Sequence, residues 1–416
     1  MDRRHFMTHM AGAAALTATG NNFLGNIHAQ APTLKKNQKS IIILWMAGGP
    51  TTIDLWDMKP GHANGGEHKP KSTAASGVQI TEHMPLLAKQ FKNLSIIRSL
   101  TTTEGDHMRG TTLMNTGRSP NPLVEFPSMG SVMAYQQRET EGDIPAFISI
   151  GGGGGRGPGF LGMKYAPFTV QNAGTPPENL LPPAEVKDRM ERRANLFGRI
   201  ESEFKTGAER DAAKAHAEVY GKAMNLVVSS RKDVFSLDKE TASIKAEYGT
   251  SQFGRGCLLA RKLVEAGSVC VEVSLGGWDM HAGIFAALAT RALPALDQGF
   301  AALTRDLADR GMSKNVEVIW MGDFGRTPRI NQNGGRDHYP RAWSIVVGGG
   351  SMKGGQVIGS TDAGGEAVKD NPVKIADVYA TLYKGLGIDP TTQVRDNLGR
   401  PTAIADKGEP IKELVG

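Results

Sequence analysis

The chain has 416 residues, 39% hydrophobic and 22% charged, an ordinary composition for a globular protein with a sizeable core. A formal charge of +6 without any Lys/Arg run interleaved with aromatics argues against a nucleic-acid partner. It leaves a mildly basic surface that can draw in an anionic substrate. The two cysteines, Cys257 in a helical stretch and Cys270 in the strand that follows, read as buried free thiols rather than a bridge or a nucleophile.

Asp2-Arg3-Arg4-His5-Phe6 leads into the apolar stretch Ala11 to Ala18 and the small-residue site Ala29-Gln30-Ala31. These are the three parts of an export signal, and the paired arginines resemble the twin-arginine kind. The middle is too short to span a bilayer, so residues 1–31 read as a removable signal and residues 32–416 as one α/β domain. The expected location is periplasmic or secreted, with the twin-arginine translocation machinery as a partner and no transmembrane span in the mature chain.

The run Ile41 to Met46 is continuously apolar and rich in β-branched residues, which predicts a strand buried on both faces. It ends in Gly48-Gly49-Pro50-Thr51-Thr52-Ile53-Asp54, a tight turn with Asp54 as a candidate ligand; Thr51, Thr52 or Asp54 can equally cap the next turn. Residues 58–80 read as an exposed loop carrying a solvated His62 and His68. A short helix from Pro85 to Gln90, a strand from Leu94 to Ile97, a polar loop holding His107, and a helix stopping at Gly117 follow. A helix start beside His107 favours an anion there.

Residues 144–150 predict another strand, running into Gly151 to Gly155. No Lys-Ser/Thr follows those glycines, so a tight or flexible turn is expected and not a nucleotide site. From about residue 182 to 250 the composition turns to charged helix formers, a helical insertion with solvated charges. Helix Gly256 to Ala266 then feeds strand Val269 to Leu275, and helix Ala286 to Arg310 feeds strand Val316 to Met321. Strand Trp343 to Val347 and helix Val373 to Leu386 complete the pattern. The alternation predicts a mostly parallel sheet with helices on both faces.

Two strand ends carry the chemistry. Val269 to Leu275 delivers Gly276-Gly277-Trp278-Asp279-Met280-His281, an Asp and a His two residues apart, and Val316 to Met321 delivers Gly322-Asp323-Phe324-Gly325-Arg326. Gly335-Arg336-Asp337-His338 follows, so two strand ends and one loop can converge on a site at the carboxyl edge of the sheet.

Taken together, the twin-arginine start, the Gly48 to Asp54 turn, Gly277-Trp278-Asp279-Met280-His281, and Phe324-Gly325-Arg326-Thr327-Pro328 with Gly335 to His338 closely resemble the bacterial DUF1501 family, over nearly the whole chain. The resemblance implies an alkaline phosphatase-like fold and the chemistry of a superfamily that holds one or two divalent metals and hydrolyses phosphate or sulfate esters. It implies metal ligation by Asp54, Asp279, His281 and Asp323. Phe324 stands where a second ligand is common, with His338, and Asp337 beside it, available from the next loop. His107 falls where sulfatases carry Cys or Ser, which closes the formylglycine route and leaves His107 as nucleophile, acid or base, or ligand. Thr51 is an alternative nucleophile, and Arg326 and Arg336, or Arg118, are candidate clamps for the oxyanion.

The expected function is metal-dependent hydrolysis of phosphate or sulfate esters on an anionic small molecule or polysaccharide. The alternatives are a non-catalytic periplasmic binding or assembly protein on the same fold, and a metal-dependent isomerase or mutase. Mixed Asp/His ligands suit zinc or manganese, with zinc favoured, whereas a carboxylate-rich site suits calcium.

Overall fold

The computed structural model describes residues 38–137, 142–152, 156–177, 180, 189, 192, 193, 195, 196, 199 and 207–415. The signal-like segment 1–31, part of the glycine run, and much of the first half of the predicted insertion lie outside the described residues.

The strand Ser40–Met46 (β1) is buried at every position, and its side chains alternate between two apolar clusters. Ile42, Leu44 and Met46 enter one, and Ile41, Ile43 and Trp45 enter the other, as a period of two requires. Helices therefore cover both faces of the sheet. On the first face, α4 (Gln252–Glu265) and α5 (Leu293–Asp309) supply Leu259, Leu263, Leu296 and Phe300. On the second, α1 (His107–Thr116), α2 (Met129–Gln136) and α6 (Ile375–Gly385) supply Met114, Met133, Val378 and Leu382. Helix α3 (Gly207–Val228) and a short helix Ala242–Tyr248 are the described helices of the predicted insertion. Cys257 and Cys270 are buried free thiols that belong to clusters on opposite faces, which rules out a bridge between them.

The remaining strands of the sheet are β2 (Leu94–Thr101), β3 (Phe147–Ile150), β4 (Phe168–Val170), β5 (Cys270–Leu275), β6 (Val316–Gly322), β7 (Trp343–Gly349), β8 (Val357–Ile358) and β9 (Val373–Lys374). Their order is β8-β2-β7-β6-β1-β5-β3-β4, with β9 also paired to β2. Every pairing is parallel except those of β7, which runs antiparallel to both β2 and β6. The mostly parallel sheet is as predicted; the inverted β7 is not, because burial on both faces produces the same apolar run in either direction.

Two helix boundaries also differ from the sequence reading. The predicted helix from Ala286 to Arg310 begins as a short α-turn, passes through a π-turn at Leu288–Ala292 and becomes α5 at Leu293. Pro294, at the start of α5, has no N–H to donate and its ring crowds the carbonyl four residues back, so the wider turn absorbs the clash. Val373–Lys374, read as helix, is strand β9. In the loop after β1, His68 is half-buried rather than solvated, its ring 4.3 Å from His83 and 5.5 Å from Phe285. Among the described residues no helix is long and apolar enough to cross a membrane.

Glu317 on β6 is fully buried, and neither carboxyl oxygen has a hydrogen-bond partner. The backbone closes over it so tightly that a Cβ on Gly385 would lie 1.9 Å from its Oε1. Burial pushes its carboxyl well above the usual 4.5, with Lys39 offsetting this in part. The folded protein thus keeps a proton that the unfolded chain releases, and stability falls as pH rises from about 4.5 through the folded value, by up to ~1.4 kcal/mol per pH unit. Glu317→Met keeps the volume and removes the titration. Denaturation midpoints measured from pH 4 to 8 are expected to show a variant more stable than wild type at pH 8, with the gap closing towards pH 4; a constant gap would refute this.

Candidate active site

In β1, β5 and β6 the last residues, Met46, Leu275 and Gly322, lie in register, so the three loops that follow start side by side at the carboxyl edge. β2 runs the same way and sends in a fourth loop, which ends at His107.

His107 opens α1, whose N-cap Asp106 accepts from the Arg109 N–H at 3.1 Å. One turn on, Gly110 lies against the end of β6, where a Cβ would come within 2.8 Å of the Asp323 carbonyl oxygen. That close approach lets His107 Nδ1 donate to Asp323 Oδ2 at 2.6 Å. His338 arrives from a two-residue ribbon in which it pairs with Arg326. Its Nδ1 donates to the Gly105 carbonyl at 2.8 Å. Gly335 carries the same loop against His281, since a Cβ there would lie 2.1 Å from the His281 carbonyl carbon. His281 Nδ1 then donates to Asp337 Oδ1 at 2.8 Å, and the Asn331 amide donates to that oxygen at 3.2 Å and to the His281 carbonyl at 3.1 Å.

Each of the three imidazoles therefore has its Nδ1 facing an acceptor, which assigns the proton to Nδ1 and turns the Nε2 lone pair inward. All three Nε2 atoms converge on one carboxylate oxygen, Asp279 Oδ1, at 2.9 Å for His281 and 3.3 Å for His107 and His338. Acceptors gathered this closely repel one another unless a cation lies among them. The ligand atoms of His107, Asp279 and His338 all lie within 4.8 Å of one another, and His107 Nε2 is buried without a hydrogen-bond partner. Two imidazoles and a carboxylate, with the ring orientations fixed by second hydrogen bonds, are a donor set that fits zinc or manganese.

The carboxyl groups of the cluster are shifted in both directions. Burial raises the pKa of Asp279, but the Arg326 guanidinium, with His338 and His107, outweighs this and holds its carboxyl well below the usual range. Burial raises Asp323 above its ordinary value, opposed in part by the hydrogen bond from His107. Asp337 is lowered chiefly by its bond to His281. Phe324 is fully buried beneath the cluster, its ring 4.9 Å from that of His107 and 4.5 Å from that of His338, an apolar floor that fixes both.

The structure thus brings together His107, Asp279, His281, Asp323, Asp337, His338 and Arg326. It does not bring Thr51, Asp54, Arg336 or Arg118 to the cluster. The buried Asp54 carboxylate takes a two-point ion pair from the fully buried Arg336, 2.7 Å to each oxygen, and the Thr51 hydroxyl donates to it at 2.6 Å. Arg336 spends its other N–H groups on the carbonyls of Asn64, Thr327 and Pro328, so neither it nor Asp54 is free for an ester or an ion. Arg118 pairs with Asp406 at 2.9 Å and stacks over Phe126. Sequence reasoning missed the Gly105 carbonyl, for which no side-chain signal exists, and Asn331, whose only cue is its place in an Asn/Gly-rich turn.

No curated protein matches the sequence. Among solved structures the chain is similar to the PsFucS1 sulfatase from Pseudoalteromonas sp., with 14% identity, TM-score 0.34, and 88% of this chain and 70% of that chain covered. It is also similar to the lipoteichoic acid synthase LtaP from Listeria monocytogenes, with 11% identity, TM-score 0.36, and 89% and 77% covered. A TAB5 alkaline phosphatase mutant gives 12% identity, TM-score 0.36, and 85% and 99% covered. Residues 38–415 match the family described as "Protein of unknown function (DUF1501)", and the chain belongs to that family.

Proposed function

We propose that this protein is an exported, metal-dependent hydrolase of phosphate or sulfate esters, acting on an anionic small molecule or polysaccharide. The observation that carries the reading is the convergence of three inward-facing imidazole Nε2 atoms on the Asp279 carboxylate. His107, Asp279 and His338 would hold the ion. When bound, a divalent metal polarises an ester oxygen and brings the pKa of a coordinated water to about 7.

The remaining groups do the positioning. Asp323 and the Gly105 carbonyl hold His107 and His338 by their Nδ1 atoms, which keeps each ring aimed inward. His281, tied to Asp337, presents Nε2 to the same space and is the group set to carry a proton to or from the ester. Phe324 excludes water from below. The Thr51 hydroxyl is buried and donated to Asp54, so attack by water is favoured over a covalent Thr ester. A second reading, a non-catalytic binding protein, is favoured by His107, where a Ser or Cys nucleophile would stand, and by Phe324, where a second ligand would. Export rests on the Arg3-Arg4 motif and the small-residue site before residue 32.

Elemental analysis of protein purified without chelator, paired with turnover of aryl phosphates and aryl sulfates, tests the reading. Bound zinc or manganese with hydrolysis of either ester class, lost on chelation and restored by the metal, is the expected result. A metal-loaded protein that turns over neither class points to the binding protein, and a protein that takes up no metal refutes both the site and the hydrolase.

A further inference from the structure

Arg326 is in the cluster, as its sequence context suggested, but its bonding is not that of a clamp. A clamp for an incoming anion needs N–H groups to spare, and Arg326 has none. It is fully buried, and its Nε donates to the Gly49 carbonyl at 2.7 Å. Nη1 donates to the Arg336 carbonyl at 3.1 Å and faces His281 Nε2 at 3.3 Å. Nη2 donates to the Gly48 carbonyl and to Asp279 Oδ1. All five N–H groups are matched, three of them by backbone carbonyls, two of which lie in the turn directly after β1. The guanidinium is therefore a fixed positive charge, pinned between Asp279 and His281.

His281 is the histidine that meets this charge, its Nε2 3.3 Å from Arg326 Nη1. With its proton on Nδ1, His281 Nε2 accepts from Arg326 Nη1 and lies 2.9 Å from Asp279 Oδ1 and 3.2 Å from His338 Nε2. Its inward nitrogen thus already has a protein donor, whereas His338 Nε2 faces Asp279 Oδ1 and His281 Nε2, both acceptors. His107 Nε2 has no hydrogen-bond partner.

We infer that Arg326 acts as the built-in cation of this site: it takes the place beside Asp279 and His281 that a second metal would need, limits the protein to one divalent ion held by His107, Asp279 and His338, and keeps His281 out of that ion's coordination shell. This rests on the metal reading above and adds to it a count and a division of labour. A divalent ion placed between Asp279 and His281 would meet a like charge hydrogen-bonded to both, whereas one among His107, Asp279 and His338 shares with the guanidinium only the Asp279 carboxylate. Arg326 is accordingly a positioning residue that sets how many ions bind and which histidine stays uncoordinated.

Titration of metal-free protein with Zn2+ or Mn2+ alone, followed calorimetrically and by elemental analysis after dialysis, decides this without any substrate. Wild type is expected to take one equivalent. His281→Gln is expected to take one equivalent with Kd within about threefold of wild type, while His338→Gln weakens binding by more than the ~10–100-fold typical of a group outside the coordination shell. Arg326→Met is expected to gain a second equivalent and Arg326→Lys to remain at one, a contrast that a merely structural role for Arg326 would not produce. If Arg326→Met does not fold, the His281→Gln result still decides. Two equivalents in wild type, or a His281→Gln protein that weakens as much as His338→Gln, overturns the inference and leaves the metal site standing. No uptake by wild type removes the metal reading itself, and the count with it.

Discussion

Asp279→Asn is expected to release the metal and to abolish ester hydrolysis while leaving the protein folded. Asp279 Oδ1 is the one anionic atom on which three imidazoles and a guanidinium converge. A neutral amide removes the charge that balances Arg326 and the bound ion together. It also presents an NH2 group or a weaker acceptor to imidazole nitrogens whose orientation is fixed by Asp323, Asp337 and Gly105. The loss in metal affinity should exceed the ~10–100-fold seen when only a supporting partner of a ligand is removed. The fold should persist because Asp279 is half-exposed and Arg326 keeps its bonds to the Gly48, Gly49 and Arg336 carbonyls. Circular dichroism for the fold, elemental analysis for the ion and aryl ester turnover for activity make the check. A folded Asp279→Asn protein with wild-type metal content would remove Asp279 from the site.

The second large effect is on stability, and it lies in the pair that the sequence offered as chemistry. Arg336→Met should destabilise the fold by about 3–5 kcal/mol, the cost of leaving a buried carboxylate without its counter-ion. Asp54 is 2% exposed and Arg336 is at 0%, and the two are joined at 2.7 Å through both carboxylate oxygens, so water cannot replace the missing guanidinium. Asp54→Leu with Arg336→Met removes both charges and should recover most of the loss. Denaturant titration of the two variants measures this, and the metal content per folded molecule should stay at the wild-type value. Metal lost from folded Asp54→Leu/Arg336→Met protein would instead return Asp54 to the ligand set.

Much of this protein was legible from residue order alone. The apolar runs at Ile41 to Met46, Val269 to Leu275 and Val316 to Met321 are strands because such runs can be satisfied only inside a sheet covered on both faces. The Asp and His residues that follow those strands lie at the carboxyl edge because the chain must turn there to cross back. His107, picked out by its place ahead of the helix that ends at Gly117, is at the cluster for the same local reason: it opens the helix that β2 feeds. The tertiary structure alone decided which charges meet. Asp54 joins Arg336 across 282 positions and His107 joins Asp323 across 216, and nothing in the local pattern of either residue names its partner. The same holds for β7, whose apolar run is compatible with either direction, and for Arg326, whose sequence context suggested a clamp while strand register set it opposite His338 and beneath Gly48. Short-range patterns report burial and turning, because those depend on neighbours in sequence. The pairing of charges depends on strand order and register, which the packing of the whole sheet sets at once.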